Sequence, residues 1–543
     1  MNPLKPQALL LTPLLLGGAA GHAAKPQQSA GQPNILLILV DDLKPVLGCY
    51  GDPVALTPNI DSLAASGTLF RHSYCQQALS GPTRVSLLTG LRPDHTLIWS
   101  MPKQMREYYP GIVTIPQYFA SQGYTTAAVG KIFDARTVDK GHDKPSWSIP
   151  YIDVSPYLDR SVPGAGEQYL DPDTRTSAAR FRQEALDKGL KGRDARQYVS
   201  RRAQPSTECM EVPDNAYRDG AITQAGIETL RELVLKGNPF LLAVGFNKPH
   251  LPFIAPKKYW DLYDRNRMPL AEFQQKADGS PEIAYHKDYI EIRSFSDIPT
   301  FYNFCDGYRN NGHIDEQKQR ELIHGYYACT SYIDHQIGKL LKALKVSGVD
   351  RNTIVVLVGD HGWHLGDHGL WCKATNFEQA AKAPLIVRDP RIGPGVVDGV
   401  TEFVDLFPTL CSLCGVPESA NLDGTDLTPA MREPGIRVKS CAVSQYYRFP
   451  DIMGYSLRTD RYRYTVWFDG NYRTWQPYDE HRIVARELYD CQEDPLETVN
   501  YSGKRAWCDV ETKLQNLLTE YIRNENQKAK DHRQFRTINY FIN

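Results

Sequence analysis

Acidic side chains follow two apolar runs that lie far apart in the chain. Asp41 and Asp42 follow the run NILLILV, and Asp360 and His361 follow TIVVLVG. Two neighbouring carboxylates repel each other unless a cation lies between them, and a hard divalent cation prefers oxygen ligands. One acidic pair could be a simple turn. The second acid–imidazole pair, in the same setting, favours a metal site over a turn.

A second chemical motif is the pentapeptide SGPTR, which begins at Ser80. Pro82 suits the first turn of a helix, so Ser80 is predicted at a helix N-terminus, where free N–H groups favour an anion. Arg84 follows about one turn later, and its planar guanidinium could bind the same oxyanion. The ordinary alternative is a capping serine with an exposed arginine, and the spacing alone does not decide between them.

The apolar runs have the composition of strands that are buried on both faces of a parallel sheet. Their acidic residues therefore stand at strand carboxyl ends, where open α/β sheets build their sites. Further strands are predicted over 125–129 and 240–245, and helices over 59–66, 113–122, 215–236 and 317–346. This alternation predicts an α/β fold with a large, mainly parallel sheet sandwiched by helices.

The amino-acid composition changes along the chain and suggests four parts. The apolar stretch 8–20 after Lys5, followed by small residues, indicates an export signal. The predicted parts are a signal peptide (1–24), a linker (25–33), a catalytic domain (34–434) and a small C-terminal α+β subdomain (435–543). In the last part, strands are predicted over 455–459 and 462–468 and a helix over 510–523. The segments 135–210 and 255–315 lack periodicity and are predicted to be long loops over the active edge.

The composition excludes several classes of protein. Of the 543 residues, 41% are hydrophobic and 23% are charged, which excludes wholesale disorder. The net charge of -1 gives no bulk attraction to nucleic acid, and no segment after the signal is long and apolar enough for a membrane span. Eleven cysteines are widely spread. Cys411 and Cys414 lie in an apolar helical context, so we predict buried thiols there.

Several motifs occur in the order found in sulfatases. They are NILLILVDDLKPVLGCYGD, QQALSGPTRVSLLTGLRPD, AVGKIF, FNKPHLPF, DHGWHLGDHG and LWCKATNFE. The chain resembles the sulfatase family of the alkaline-phosphatase-like superfamily, most closely its iduronate-2-sulfatase group, over roughly residues 33–500. The combination of motifs is highly specific, although no single motif is.

The resemblance implies a nucleophile and a cofactor. In the family the first residue of the SGPTR-type motif is oxidised to formylglycine, and Ser80 holds that place, as in bacterial sulfatases matured by a separate radical-SAM enzyme. The aldehyde hydrate attacks sulfur with one hydroxyl, and the other then ejects sulfate. The resemblance also implies one calcium ion, held together with residue 80 by the ligands Asp41, Asp42, Asp360 and His361, the last standing where many sulfatases carry asparagine.

The remaining implied roles concern charge and protons. Positive charge around the sulfate would come from Arg84, Lys131 and Lys373. His250 matches the histidine that protonates the leaving oxygen, with Lys248 as an auxiliary. The chain departs from the group's pattern at Asp134, which replaces a histidine that deprotonates the formylglycine hydroxyl. Asp134 could accept that proton instead, or His142 could swing in.

These observations predict an exported, periplasmic or secreted sulfatase that acts on a sulfated oligosaccharide or glycosaminoglycan. Within the resemblance the leading substrate is the 2-O-sulfate of a uronic acid. Two alternatives are a phosphodiester or phosphonate monoester hydrolase on the same scaffold, and a non-catalytic glycan-binding homologue.

Overall fold

The computed structural model describes residues 31–101, 103–286, 291–298, 314–470 and 479–533. The predicted export signal, 1–24, lies outside these residues. Within the described ranges, none of the helices combines the length and apolar character needed to cross a membrane.

The described residues form the following strands and helices, numbered in chain order. The strands are β1 (Asn34–Val40), β2 (Thr68–Tyr74), β3 (Thr125–Gly130), β4 (Thr207–Met210), β5 (Phe240–Phe246), β6 (Phe253–Pro256), β7 (Thr353–Gly359), β8 (His364–Leu365), β9 (Trp371–Cys372), β10 (Leu385–Arg388), β11 (Gly395–Glu402), β12 (Ala442–Arg448), β13 (Ile452–Arg458), β14 (Tyr462–Phe468) and β15 (Ile483–Asp490). The α-helices are α1 (Pro58–Ala65), α2 (Ser80–Thr89), α3 (Pro93–Thr96), α4 (Met105–Tyr108), α5 (Ile115–Ser121), α6 (Pro172–Asp187), α7 (Gly192–Ala203), α8 (Arg218–Lys236), α9 (Lys257–Trp260), α10 (Glu316–Val346), α11 (Glu378–Ala381), α12 (Leu406–Cys414), α13 (Thr428–Arg432) and α14 (Cys508–Arg533).

Seven of the strands form a central sheet in the order β11-β2-β10-β7-β1-β5-β3. Only β10 runs antiparallel to its neighbours in this sheet, so the predicted large, mainly parallel sheet is confirmed. Every residue of β1, β5 and β7 is buried. Because successive side chains point to opposite faces, even-numbered residues of β1 pack with α8 and α10, and odd-numbered ones pack with α2, α5 and α12. Both faces are therefore covered by helices.

Most predicted elements are confirmed, with ends that differ by a few residues. The predicted long excursion 135–210 contains two helices, α6 and α7, that the sequence pattern did not indicate. Within α6, only two alanines are buried. A helix that buries so little apolar surface shows no broad apolar stripe to detect, so its periodicity was not visible in the sequence.

The C-terminal strands β12 to β15 form a separate antiparallel sheet. Helix α14 packs on it through Leu514, Leu518 and Ile522, which contact Leu457 and Tyr464 among other buried side chains. The predicted small C-terminal α+β region is thus confirmed, while the boundary between 434 and 435 stays a prediction. The ten cysteines that the structure describes are free thiols, and Cys411 and Cys414 are buried in α12.

A buried ionic cluster links α14 to α3 and to the residue that precedes α3. The His95 Nδ1 atom lies 2.7 Å from Asp423 Oδ2, and its Nε2 atom lies 3.2 Å from Glu525 Oε2. Arg92 approaches the same Glu525 carboxylate at 3.8 Å. Burial opposes the charge on His95, but the hydrogen bond to Asp423 and the charges of both carboxylates raise its pKa above the ordinary value of 6.5.

This cluster predicts a pH-dependent stability. A histidine whose folded-state pKa is raised stabilises the fold fully below its unfolded pKa, and the stabilisation is lost as the pH rises through the folded value. His95→Gln should lower the free energy of unfolding by about 2 kcal/mol near pH 6, and by clearly less near pH 9. Urea unfolding of both proteins at the two pH values measures this. An equal loss at both values would contradict a charged His95.

Candidate active site

The two acidic strand ends meet because β1 and β7 are parallel neighbours in the sheet, with Val40 beside Gly359. The Asp42 backbone N–H donates to Asp360 Oδ1 at 2.9 Å. Asp42 itself adopts a left-handed conformation with φ 58°. Adjacent side chains on a regular strand point to opposite faces, and this turn allows Asp41 and Asp42 to converge on one site. Their predicted proximity to Asp360 is therefore observed.

Ser80 joins this cluster from the first residue of α2. Its hydroxyl lies 3.3 Å from Asp41 Oδ1 and 3.1 Å from His361 Nε2, and the side chain is buried. The helix start is held in place by Thr83, whose hydroxyl donates to the Asp360 carbonyl at 2.8 Å. One helix start and two remote strand ends thus share a single buried pocket.

Arg84 is fully buried and holds the acids in position. Its Nε donates to Asp360 Oδ2 at 2.9 Å and its Nη2 to Asp41 Oδ1 at 3.0 Å. Its Nη1 donates to the carbonyls of Lys131 and Ile132. Burial opposes the charge, yet Asp360 and Asp41 raise the pKa of Arg84. All three guanidinium nitrogens donate to protein groups, and Arg84 bridges two of the carboxylates. Its role as an oxyanion ligand stays a prediction.

Two lysines flank the carboxylates from opposite sides. The Lys131 ammonium binds Asp41 Oδ2. The Lys373 ammonium lies 2.9 and 2.8 Å from the two oxygens of Asp42 and 3.2 Å from Glu291 Oε2. Burial opposes the charge on Lys373, but Asp42 and Glu291 raise its pKa well above the usual range. Both ammonium groups therefore lie next to the carboxylates, as their predicted roles require.

The donor set fits a hard divalent cation. Ligand atoms of Asp42, Asp360 and His361 lie within 4.8 Å of one another, as do those of Asp41, Asp42 and His250. Burial raises the pKa of Asp42, and the adjacent Asp41 raises it further. An added cation would relieve this cost of concentrated negative charge.

The orientation of His361 supports the same interpretation. Its Nδ1 lies 3.0 Å from the Gly362 carbonyl oxygen, which can only accept a hydrogen bond. A hydrogen on Nδ1 would satisfy this contact, and Nε2, which faces Ser80 and Asp42, would then present its lone pair. Such a lone pair can bind a metal ion or accept a proton.

His250 lies close to Asp42, with Nε2 3.8 Å from Asp42 Oδ2, and is oriented by its own loop. Its Nδ1 lies 2.5 Å from the Leu251 carbonyl, and its Nε2 lies 3.0 Å from Glu291 Oε1. Both neighbours accept hydrogen bonds, so both ring nitrogens carry hydrogen. Burial opposes this charge, but Glu291 and Asp42 raise the pKa of His250. Lys248 does not reach toward the pocket, since its ammonium donates to the carbonyls of His250 and Pro252.

Glu291 is a site residue that the sequence interpretation missed. It bridges His250 and Lys373, and it lies in the segment predicted only as a long loop. An isolated glutamate in an aperiodic stretch carries no signal, because both of its partners come from distant parts of the chain.

The Asp134 carboxylate is paired with Arg136. Its carboxylate accepts hydrogen bonds from Arg136 Nε at 2.8 Å and Nη2 at 2.7 Å. Burial opposes ionisation, but Arg136 and Lys131 lower the pKa of Asp134 to about 2. So acidic a group is a weak proton acceptor near neutral pH, and this pairing argues against the proton-accepting role. His142 stacks on Tyr151, with ring centroids 4.1 Å apart.

The chain is similar to known proteins in both sequence and structure. The Sulfatase family model matches residues 33–416, and the model for the N-sulphoglucosamine sulphohydrolase C-terminal region matches residues 366–524. Iduronate 2-sulfatase of Mus musculus is 34% identical over 556 residues, covering 90% of this chain and 94% of its own length.

Two solved structures share the fold at lower identity. One, solved in complex with its substrate D-glucosamine-2-N,6-O-disulfate, has a TM-score of 0.66 and 21% identity and covers 92% of this chain and 98% of its own. Phosphonate monoester hydrolase of Agrobacterium radiobacter has a TM-score of 0.65 and 21% identity, covering 92% and 96%. Because the Sulfatase model spans every residue of the pocket built around Ser80, the chain belongs to the sulfatase family and is a sulfuric ester hydrolase.

Proposed function

We propose that this enzyme removes O-sulfate from a glycan, and that its substrate is the 2-O-sulfate of a uronic acid. The observation that carries the proposal is the meeting of the Ser80 hydroxyl with Asp41 and His361 in a buried pocket flanked by Lys131 and Lys373. The choice of sugar is supported by the iduronate 2-sulfatase relative.

We further propose that Ser80 is converted to formylglycine by a separate maturation enzyme, and that one calcium ion is held by Asp41, Asp42, Asp360, His361 and residue 80. When present, the calcium ion supplies positive charge next to a sulfate oxygen, and the formylglycine hydrate supplies two hydroxyls on one carbon, one to attack sulfur and one to expel sulfate. Residues 1–24 are proposed to direct export to the periplasm or beyond the cell.

The chain's own residues supply charge and protons. Lys131 and Lys373 stabilise the negative charge that develops on the transferring group. Arg84 fixes two of the carboxylates. His250 holds a hydrogen on Nε2 and delivers it to the sugar oxygen as that oxygen leaves. Glu291 keeps this ring oriented and charged.

Sulfate release needs a proton acceptor near residue 80. Asp134 is occupied by Arg136, whereas His361 Nε2 lies 3.1 Å from the Ser80 hydroxyl. His361 Nε2 would serve either as the metal ligand or as this proton acceptor, because both roles use the same lone pair.

The role of His250 predicts a dependence on the leaving group. His250→Gln should slow desulfation of a sugar ester roughly 10²-fold, because an alkoxide leaves poorly without a proton. It should slow an aryl sulfate much less, since a phenolate needs no such help. Measuring kcat for both substrates with both proteins tests this. Equal losses for the two substrates would mean that His250 acts otherwise than as the acid.

The direct test of the function is a screen of defined sulfated disaccharides with matured protein and Ser80→Ala as the control. The proposal expects desulfation at the 2-position of the uronic acid and none with the variant. Phosphonate and phosphodiester substrates belong in the same screen, because phosphonate monoester hydrolase shares the fold. Faster turnover of those substrates would favour that alternative. Glycan binding with no residue-80-dependent release would favour a non-catalytic role.

A further inference from the structure

A large cavity opens beside the reaction pocket at the carboxyl end of β3. Its volume is about 1060 Å³, and one of its lining residues is Lys131, which forms an ion pair with Asp41. Small-molecule sites usually measure about 300–1,000 Å³. A space at the upper end of that range has room for more than the one sugar that carries the reacting sulfate.

The charge of the lining is strongly positive. Five cationic side chains line the cavity against two carboxylates, Asp134 and Asp153; the cations are Lys131, Arg136, Lys140, Lys144 and Arg218. The whole chain, in contrast, has a net charge of -1. The excess is therefore a local property of this cavity, and it favours an anionic ligand.

Three of these cations form no ion pair with any residue that the structure describes. Lys140, Lys144 and Arg218 are exposed, and within the described ranges no carboxylate lies within ion-pair distance of any of them. Arg136 is held by Asp134 through Nε and Nη2. In the reaction pocket, by comparison, both lysines are paired with aspartates. Apart from the attraction between Arg218 and Asp153 of the same lining, the exposed cations of the cavity thus lack the close carboxylate partners that the two lysines of the reaction pocket have.

Aromatic side chains form an ordered wall of the same cavity. The Tyr151 hydroxyl donates to the Gly130 carbonyl, and the Trp147 indole donates to the His142 carbonyl at 2.9 Å. His142 stacks on Tyr151. These hydrogen bonds hold the aromatic rings in place next to the cations. Ligand sites commonly combine such an apolar surface with a few polar groups that orient the ligand.

We propose that this cavity is a subsite for a second anionic group of the substrate, a carboxylate or a sulfate on the sugar next to the reacting one. The inference rests on the proposed function for the reacting sugar itself. It implies that the enzyme prefers an oligosaccharide with a charged neighbour to one with a neutral neighbour. Lys140, Lys144 and Arg218 are specificity-determining residues in this proposal, and they act on the neighbouring sugar.

The test uses disaccharides with the same reacting sugar and a neighbour that carries a carboxylate, a sulfate or no charge. The wild type should show a higher kcat/KM for the charged neighbours, and the two charged arms identify which group is preferred. Lys140→Ala/Lys144→Ala should reduce this preference roughly tenfold, because each lysine contributes one partly exposed charge contact. The matched control is Lys342→Ala/Lys345→Ala near the end of α10, which leads into the amino end of β7, whereas the cavity lies at the carboxyl end of β3. This control should retain the preference.

A binding arm separates this inference from the proposed function. Calorimetry with Ser80→Ala protein and a heparin-derived disaccharide, compared with its desulfated and carboxyl-reduced form, measures charge recognition without turnover. Weaker binding of the charged probe when Lys140 and Lys144 are also replaced supports the subsite, whether or not sulfate is released. Equal binding of both probes, or a preference that survives the double replacement, overturns the subsite. Failure of every substrate in the turnover arm would count against the proposed function instead.

Discussion

Replacing Ser80 with alanine is expected to lower sulfate release roughly 10⁴-fold or more, because the nucleophile of a covalent mechanism cannot be supplied by a neighbour. The change removes one oxygen from a buried position beside Asp41 and His361. We expect the fold to persist, since Arg84 and Thr83 still hold α2 against the strand ends. Initial rates on a sulfated disaccharide, together with the unfolding curve, give both quantities.

Ser86 offers a matched control on the same helix. It is also fully buried, and its hydroxyl has no hydrogen-bond partner among the described residues. Ser86→Ala should therefore leave turnover close to that of the wild type. Substantial sulfate release by Ser80→Ala would remove residue 80 from the chemistry, whereas an equal loss in both variants would point to packing of α2 as the cause.

Replacing Asp42 with asparagine is expected to lower turnover roughly 10³-fold. The change weakens the binding of the metal ion and removes the charge that holds the Lys373 ammonium in place. Asparagine keeps the shape of the side chain but removes a charge shared by Lys373, His361 and His250. We also expect this variant to lose the calcium binding that we propose. Metal content after dialysis and calcium titration by calorimetry measure this without reference to activity.

Asp389 provides the control for a buried acid outside the pocket. It follows β10 and pairs with Arg391. Asp389→Asn should retain both calcium and turnover, although it should lose some stability. Full calcium binding by Asp42→Asn would contradict the assignment of Asp42 as a ligand.

Much of the site could be predicted because its residues follow elements with strong signals. The apolar runs in β1 and β7 are typical of central strands, and Asp41 and Asp360 come directly after these strands in the sequence. Motif resemblance then added Lys131, His250 and Lys373, whose side chains the structure places around Asp41 and Asp42.

The remaining features depend on contacts that have no local signature. Glu291 acquires its place only when a loop folds over the sheet edge and meets His250 and Lys373. Asp134 could be aligned with a histidine of related chains, but its capture by Arg136 two residues later depends on side-chain geometry. Helix α6 has no apolar periodicity that predicts a helix, because most of its residues face solvent. The apolar pattern of the sequence therefore predicts which strands are buried, but it does not predict which charged side chains form ion pairs.

The most direct test is the mass of the tryptic peptide 72–84, which contains Ser80, from protein that turns over sulfate esters. The account predicts a peptide lighter than the encoded one by two hydrogen atoms, and one that reacts with a hydrazide, because an aldehyde replaces the hydroxymethyl group. A homogeneous, unmodified serine in fully active protein would contradict it.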